Sequence, residues 1–132
     1  MELGLTGKIS IVTGGSKGIG RTTALALSQE GSDVAICARG VEELEAAAAE
    51  IRDQTGRKVL AIRADMSNLD DIKKMVSTTV AELGGVDILI NNAVNSVAAP
   101  FMELKDEDWL NHINVKVMGY VRCSRETIPH MI

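Results

Sequence analysis

Residues 13–20, Thr-Gly-Gly-Ser-Lys-Gly-Ile-Gly, hold the densest set of residues able to do chemistry in this chain. They follow a short apolar run at 9–12 and precede an amphipathic stretch, so they sit where a strand turns into a helix. A glycine-rich turn at that junction lets backbone N–H groups approach a phosphate closely, and the positive end of the helix favours the negative charge. Gly14 suits the tight turn, Gly18 the close approach and Gly20 tight packing of helix on sheet. Three glycines alone are a weak signal, and turn glycines with no ligand are the competing reading. The strand–turn–helix context raises the stretch to a dinucleotide-binding motif. Its candidate contacts are Thr13, Gly14, Ser16, Lys17, Gly18, Ile19 and Gly20.

The elements that would position this turn follow from the hydrophobic pattern. Apolar runs at 8–14, 33–38, 58–65 and 86–92 predict four buried strands. Amphipathic stretches at 18–31, 42–56 and 67–85 predict helices between them, the first two closed by Gly31 and Gly56. The third opens with Ser67 and Asp70 spaced as in a capping box. A last helix runs from about Asp106 onward. Near-continuous apolar strands alternating with helices predict an α/β fold, a parallel sheet covered on both faces.

Composition narrows the partners. A net charge of −4 and one residue each of Trp, Tyr and Phe argue against nucleic acid or an anionic membrane surface. No apolar run reaches membrane-spanning length, and a cytoplasmic location is expected. The two cysteines, Cys37 and Cys123, have no metal-ligand spacing and read as buried small side chains, and no metal site is expected. His112 and His130 stand without a suggestive carboxylate or nucleophile and read as surface or interface residues.

The spacing T-G-x-x-x-G-x-G resembles that of the short-chain dehydrogenase/reductase family, and later positions agree in order. Asp65, with Met66 beside it, resembles the adenine-contacting acid after the third strand. Asn91–Ala93 resembles the family's Asn-Asn-Ala-Gly, from which Asn92 and Ala93 are carried over as cofactor contacts. Asp108, Trp109 and Gly119 resemble the start of the long interface helix. The resemblance implies a Rossmann-like doubly wound parallel sheet, here with strand order 3-2-1-4, and NAD or NADP at the carboxyl ends of the strands. It also implies self-association through the terminal helix.

Cofactor choice is readable at the end of the second strand. An NAD enzyme carries an acid there to bind the ribose 2′-hydroxyl. This chain has Ala38 followed by Arg39, and Lys17 lies in the glycine loop. A carboxylate would repel a 2′-phosphate, whereas a guanidinium grips it in a bidentate fashion. NADP(H) is therefore expected over NAD(H). The competing reading makes Arg39 and Lys17 ordinary surface cations.

Two departures from the family pattern bear on chemistry. Val94 replaces the glycine of Asn-Asn-Ala-Gly, and valine resists positive φ, so a reshaped loop is expected. The family's catalytic asparagine position, seven residues after Trp109 and three before Gly119, falls on Lys116. Asn114 lies two residues earlier, about 200° around a regular helix. Lys116 is thus the one candidate catalytic residue, in altered but compatible chemistry.

The family's tyrosine and lysine, spaced Y-x-x-x-K, are missing: four residues after Tyr120, the sole tyrosine, stands Ser124. Residues 1–132 are therefore expected to form a cofactor-binding domain incomplete at its C-terminal end. The expected function is the cofactor half of an NADP-dependent oxidoreductase acting on a carbonyl/alcohol pair, inactive alone. The alternative is a non-catalytic dinucleotide-binding or assembly module. An S-adenosylmethionine-dependent methyltransferase fits the glycine spacing and Arg39 less well. Truncation would leave the fourth strand at an open apolar edge, from which association or marginal stability is expected.

Overall fold

The computed structural model describes residues 2–95 and 97–132. Its elements alternate as the sequence pattern requires: β1 (Ile9–Thr13), α1 (Gly18–Gln29), β2 (Asp33–Ala38), α2 (Val41–Thr55), β3 (Val59–Arg63), α3 (Leu69–Leu83) and β4 (Ile88–Ile90). A 3₁₀ turn at Phe101–Glu103 then leads into α4 (Asp106–Ile113), a π turn (Asn114–Met118) and α5 (Gly119–Met131). The four strands form one parallel sheet in the order β3-β2-β1-β4. This is the Rossmann-like, doubly wound arrangement.

Alternation along the strands divides the core in two. Val12, Val34 and Ile36 point to one face and meet Ala24 of α1 and Leu44, Ala47, Ala48 and Ile51 of α2. Ala47 and Ala48 are fully buried, which lets the α2 backbone lie close to the sheet. Ile11, Ala35 and Cys37 point to the other face, against Ile72, Met75 and Val76 of α3 and Cys123 of α5. Full burial of one such Ile, Leu or Met contributes about 1.5–3 kcal/mol, so both faces must be covered for the sheet to hold.

The helix ends obey local chemistry. Gly56 and Gly84 close α2 and α3 in the left-handed region, at φ 68° and 100°. The N-cap of α3 is Asn68, whose Oδ1 accepts the Asp71 N–H at 3.0 Å; the expected Ser67 is not the cap. Ser67 is diverted: its N–H and hydroxyl both donate to Asp65 Oδ1, at 2.9 and 2.7 Å.

β4 is shorter than the expected 86–92, and two side chains explain why. At its start, Asp87 Oδ2 accepts the Ile9 N–H at 2.9 Å. At its end, the Asn92 and Ala93 N–H groups donate to the Thr13 hydroxyl at 2.9 and 3.0 Å rather than to a strand carbonyl. The terminal helix is also interrupted by the π turn, so the phase expected of a regular helix does not carry from Trp109 to Gly119.

Asn68→Ala removes the cap of α3 and is expected to lower stability by about 1 kcal/mol, measured by urea unfolding. Ser67→Ala, which leaves that cap intact, should leave the α3 N-terminal amides protected from hydrogen exchange.

Candidate cofactor site

All four strands end on the same side of the sheet, and the segments that leave them surround a cleft of about 560 Å³, within the range of small-molecule sites. Gly14, Ser16, Lys17 and Ile19 form one wall. Cys37, Ala38, Arg39, Gly40 and Glu43 form the second, Ala64, Asp65 and Met66 the third, and Asn92 to Asn95 with Val115 close it.

The glycine turn is held from below by Thr13. This residue is buried, and its hydroxyl donates to the Ile90 carbonyl at 3.3 Å while accepting the two N–H groups after β4. Thr13 lies beneath the cleft and does not line it. Asn92 adds a second tie, its Nδ2 donating to the Gly14 carbonyl at 3.1 Å. Gly14 sits at φ 66° and Gly18 at φ 61°, where a side chain would be strained. A Cβ on Gly18 would meet nothing within 4 Å, so its backbone is open to an approaching group. Neither Gly18 nor Gly20 lines the cleft, and a Cβ on Gly20 would meet the Gly14 carbonyl and Asn92 Nδ2, so Gly20 packs against the turn. Gly15 also requires glycine, because a Cβ would fall 2.7 Å from Ile36 Cβ. Sequence spacing did not single it out.

The N-terminus of α1 is set apart from those of α2 and α3, the other two helices that follow a strand. Its N-cap, Lys17, offers no side-chain acceptor, and its first turn has no acid. By contrast α2 carries Glu42 and Glu43 in its first turn, and α3 carries Asp70 and Asp71. The positive end of α1 is thus left for an anion from outside the helix. A dinucleotide pyrophosphate fits this uncapped end, and Gly18 leaves room for it.

Charge gathers at the β2 side. Arg39 and Lys17 are exposed, and Lys17 Nζ lies 3.9 Å from Glu43 Oε2. Burial pushes the Asp65 carboxyl up. The two Ser67 bonds and the Arg39 and Arg63 guanidiniums outweigh that and hold it below its ordinary value. Asp65 is therefore an ionised acceptor with a fixed orientation. Cys37 lines the cleft, but burial pushes its thiol to about 12, with Cys123 adding to the rise. It is no nucleophile at neutral pH.

The remaining candidates lie elsewhere. Lys116, in the π turn, is exposed and does not line the cleft. Asn114 is tied to structure, with its Oδ1 accepting from Arg122 Nη1 at 2.9 Å. Tyr120 lines a separate apolar hollow with Val121, Ser124 and Ile128. Val94 causes no positive φ, since among the described residues only glycines adopt it. His112, expected as a surface or interface residue, is half-buried, and its Nδ1 donates to the Asn95 carbonyl at 2.9 Å, tying the closing loop to α4. Asn91 faces away from the cleft, its Nδ2 donating to Ser124 Oγ at 3.3 Å.

The family described as short chain dehydrogenase matches residues 8–132, and the chain belongs to it. The chain is 34% identical over 125 residues to the 3-oxoacyl-(acyl-carrier-protein) reductase of Staphylococcus epidermidis, covering 95% of this chain and 51% of that one. Among solved structures, it is similar to L-sorbose reductase from Gluconobacter frateurii complexed with NADPH and L-sorbose. That likeness has a TM-score of 0.94 at 34% identity, over 99% of this chain and 50% of that one. It is also similar to a short chain dehydrogenase from Burkholderia cenocepacia in complex with NADP, with a TM-score of 0.91 at 35% identity, over 96% and 52% of the two chains. The chain spans about half the length of the relatives it matches.

Gly20→Ala forces its Cβ into the Gly14 carbonyl. It should destabilise the fold by roughly 1–3 kcal/mol, as overpacking does, measured by thermal or urea unfolding. Gly40→Ala, whose Cβ would meet nothing within 4 Å, should be near neutral in the same assay.

Proposed function

We propose that this chain is the cofactor-binding half of an NADP-dependent oxidoreductase that interconverts a carbonyl and an alcohol. The observation that carries the reading is the acid-free, uncapped N-terminus of α1, opening on a cleft whose neighbouring wall bears Arg39. The pyrophosphate would rest on the amides of the glycine turn, from Gly14 through Ser16 and Gly18 to Ile19. The ribose 2′-phosphate would lie between Arg39 and Lys17. The oriented Asp65 carboxylate and Met66 would receive the adenine, and Asn92 and Ala93 the nicotinamide-side ribose. Thr13 and Gly20 would act by shaping the turn. The bound nicotinamide supplies hydride chemistry.

Proton transfer is assigned by family resemblance to a tyrosine and a lysine outside these 132 residues. Tyr120 lies away from the cleft, and burial raises its phenol. Alone, the chain is proposed to bind NADP(H) and turn nothing over. Lys116 is proposed only to stand at the family's asparagine position, where its exposed ammonium would hold a water. The exposed Trp109, Val117 and Val121 of the terminal helix support self-association along it.

Titration with NADPH and NADH, followed by nicotinamide fluorescence, tests the proposal. NADPH should bind at least tenfold more tightly, and Arg39→Ala should remove most of that margin, since charge-assisted contacts are worth about 1.5–3 kcal/mol. Equal or tighter NADH binding would overturn it.

A further inference from the structure

The wall that carries Arg39 and Lys17 also carries a carboxylate, Glu43, whose Oε2 lies 3.9 Å from Lys17 Nζ. Glu43 belongs to the first turn of α2, as does Glu42. Either acid complements the helix dipole, but Glu43 lines the cleft and Glu42 does not. Both members of the Lys17–Glu43 pair are mostly exposed, so the pair is loose and readily exchanged.

The two acids of the cleft differ in what surrounds them. Asp65 receives the Ser67 N–H and hydroxyl and is flanked by Arg39 and Arg63, so its charge is locally balanced. For Glu43 the partner among the described residues is Lys17, the same ammonium that a 2′-phosphate would use. A phosphate monoester carries a charge of about −1.5 to −2 at pH 7. It must therefore take Lys17 from Glu43 and then lie within a few ångströms of the carboxylate it displaced.

Resting on the NADP reading, we infer that Glu43 is a specificity-determining residue that restrains the preference for the 2′-phosphorylated cofactor. It does so by holding Lys17 in the free protein and by repelling the phosphate in the bound one. NADH lacks that phosphate and is insensitive to both effects. The result is a cofactor margin smaller than Arg39 and Lys17 would give alone.

The test is fluorescence titration of NADPH and NADH against the unmodified chain, Glu43→Gln and Glu42→Gln at low ionic strength. Glu43→Gln should tighten NADPH about three- to tenfold, the size expected of a removed like charge in high-dielectric surroundings. NADH should change less than twofold, and Glu42→Gln should change neither. The gain should shrink in high salt. An unchanged NADPH/NADH ratio in Glu43→Gln, or an equal gain in Glu42→Gln, overturns the inference while leaving the NADP reading intact. If the unmodified chain shows no NADPH margin, or Arg39→Ala leaves that margin in place, the NADP reading itself fails and takes the role of Glu43 with it.

Discussion

One hydroxyl joins the two halves of the sheet where the cleft opens. Thr13 Oγ donates to the Ile90 carbonyl and accepts the Asn92 and Ala93 N–H groups. Buried backbone donors left without a partner cost about 1–3 kcal/mol each, so this hydroxyl fixes where β4 stops pairing and where its loop turns. That loop in turn places Asn92, whose amide holds the Gly14 carbonyl. The glycine turn, the uncapped start of α1 and the closing wall of the cleft are all referenced to the same atom.

The sheet beneath makes this possible because its strands are parallel and buried on both faces. Their carboxyl ends emerge together, and the loops that follow meet at one edge. Thr13 is paired with Cys37 across β1 and β2, and the Gly15 N–H continues the pairing to the Cys37 carbonyl at 3.0 Å. Ile36 sits so close beneath Gly15 that no side chain fits there. Core packing and the geometry of the glycine turn are thus one constraint, not two.

Much of this was legible in the residues. The alternation of strands and helices and the glycine closure of α2 follow from hydrophobic period and turn chemistry, and the strand order follows from the family resemblance. Most residues of the proposed cofactor site line one cleft, because the motif and the strand ends that carry them are local features. What was not legible depends on contacts between distant segments. The end of β4 is set by Thr13, nearly 80 residues away in sequence. Ser67 and Asn68 are both good N-caps by type. The choice fell to Asn68 because Asp65 engages Ser67. The π turn leaves no periodic signature, and the bond from His112 to Asn95 needs the fold to bring α4 over the loop.

The dependence of the site on Thr13 is most directly tested by amide hydrogen exchange in Thr13→Val, which keeps the shape and removes the hydroxyl. The Asn92 and Ala93 amides are expected to lose most of their protection, while amides within α2 and β2 keep theirs. Protection at Asn92 and Ala93 equal to that in the unmodified chain would contradict the central role given to this hydroxyl.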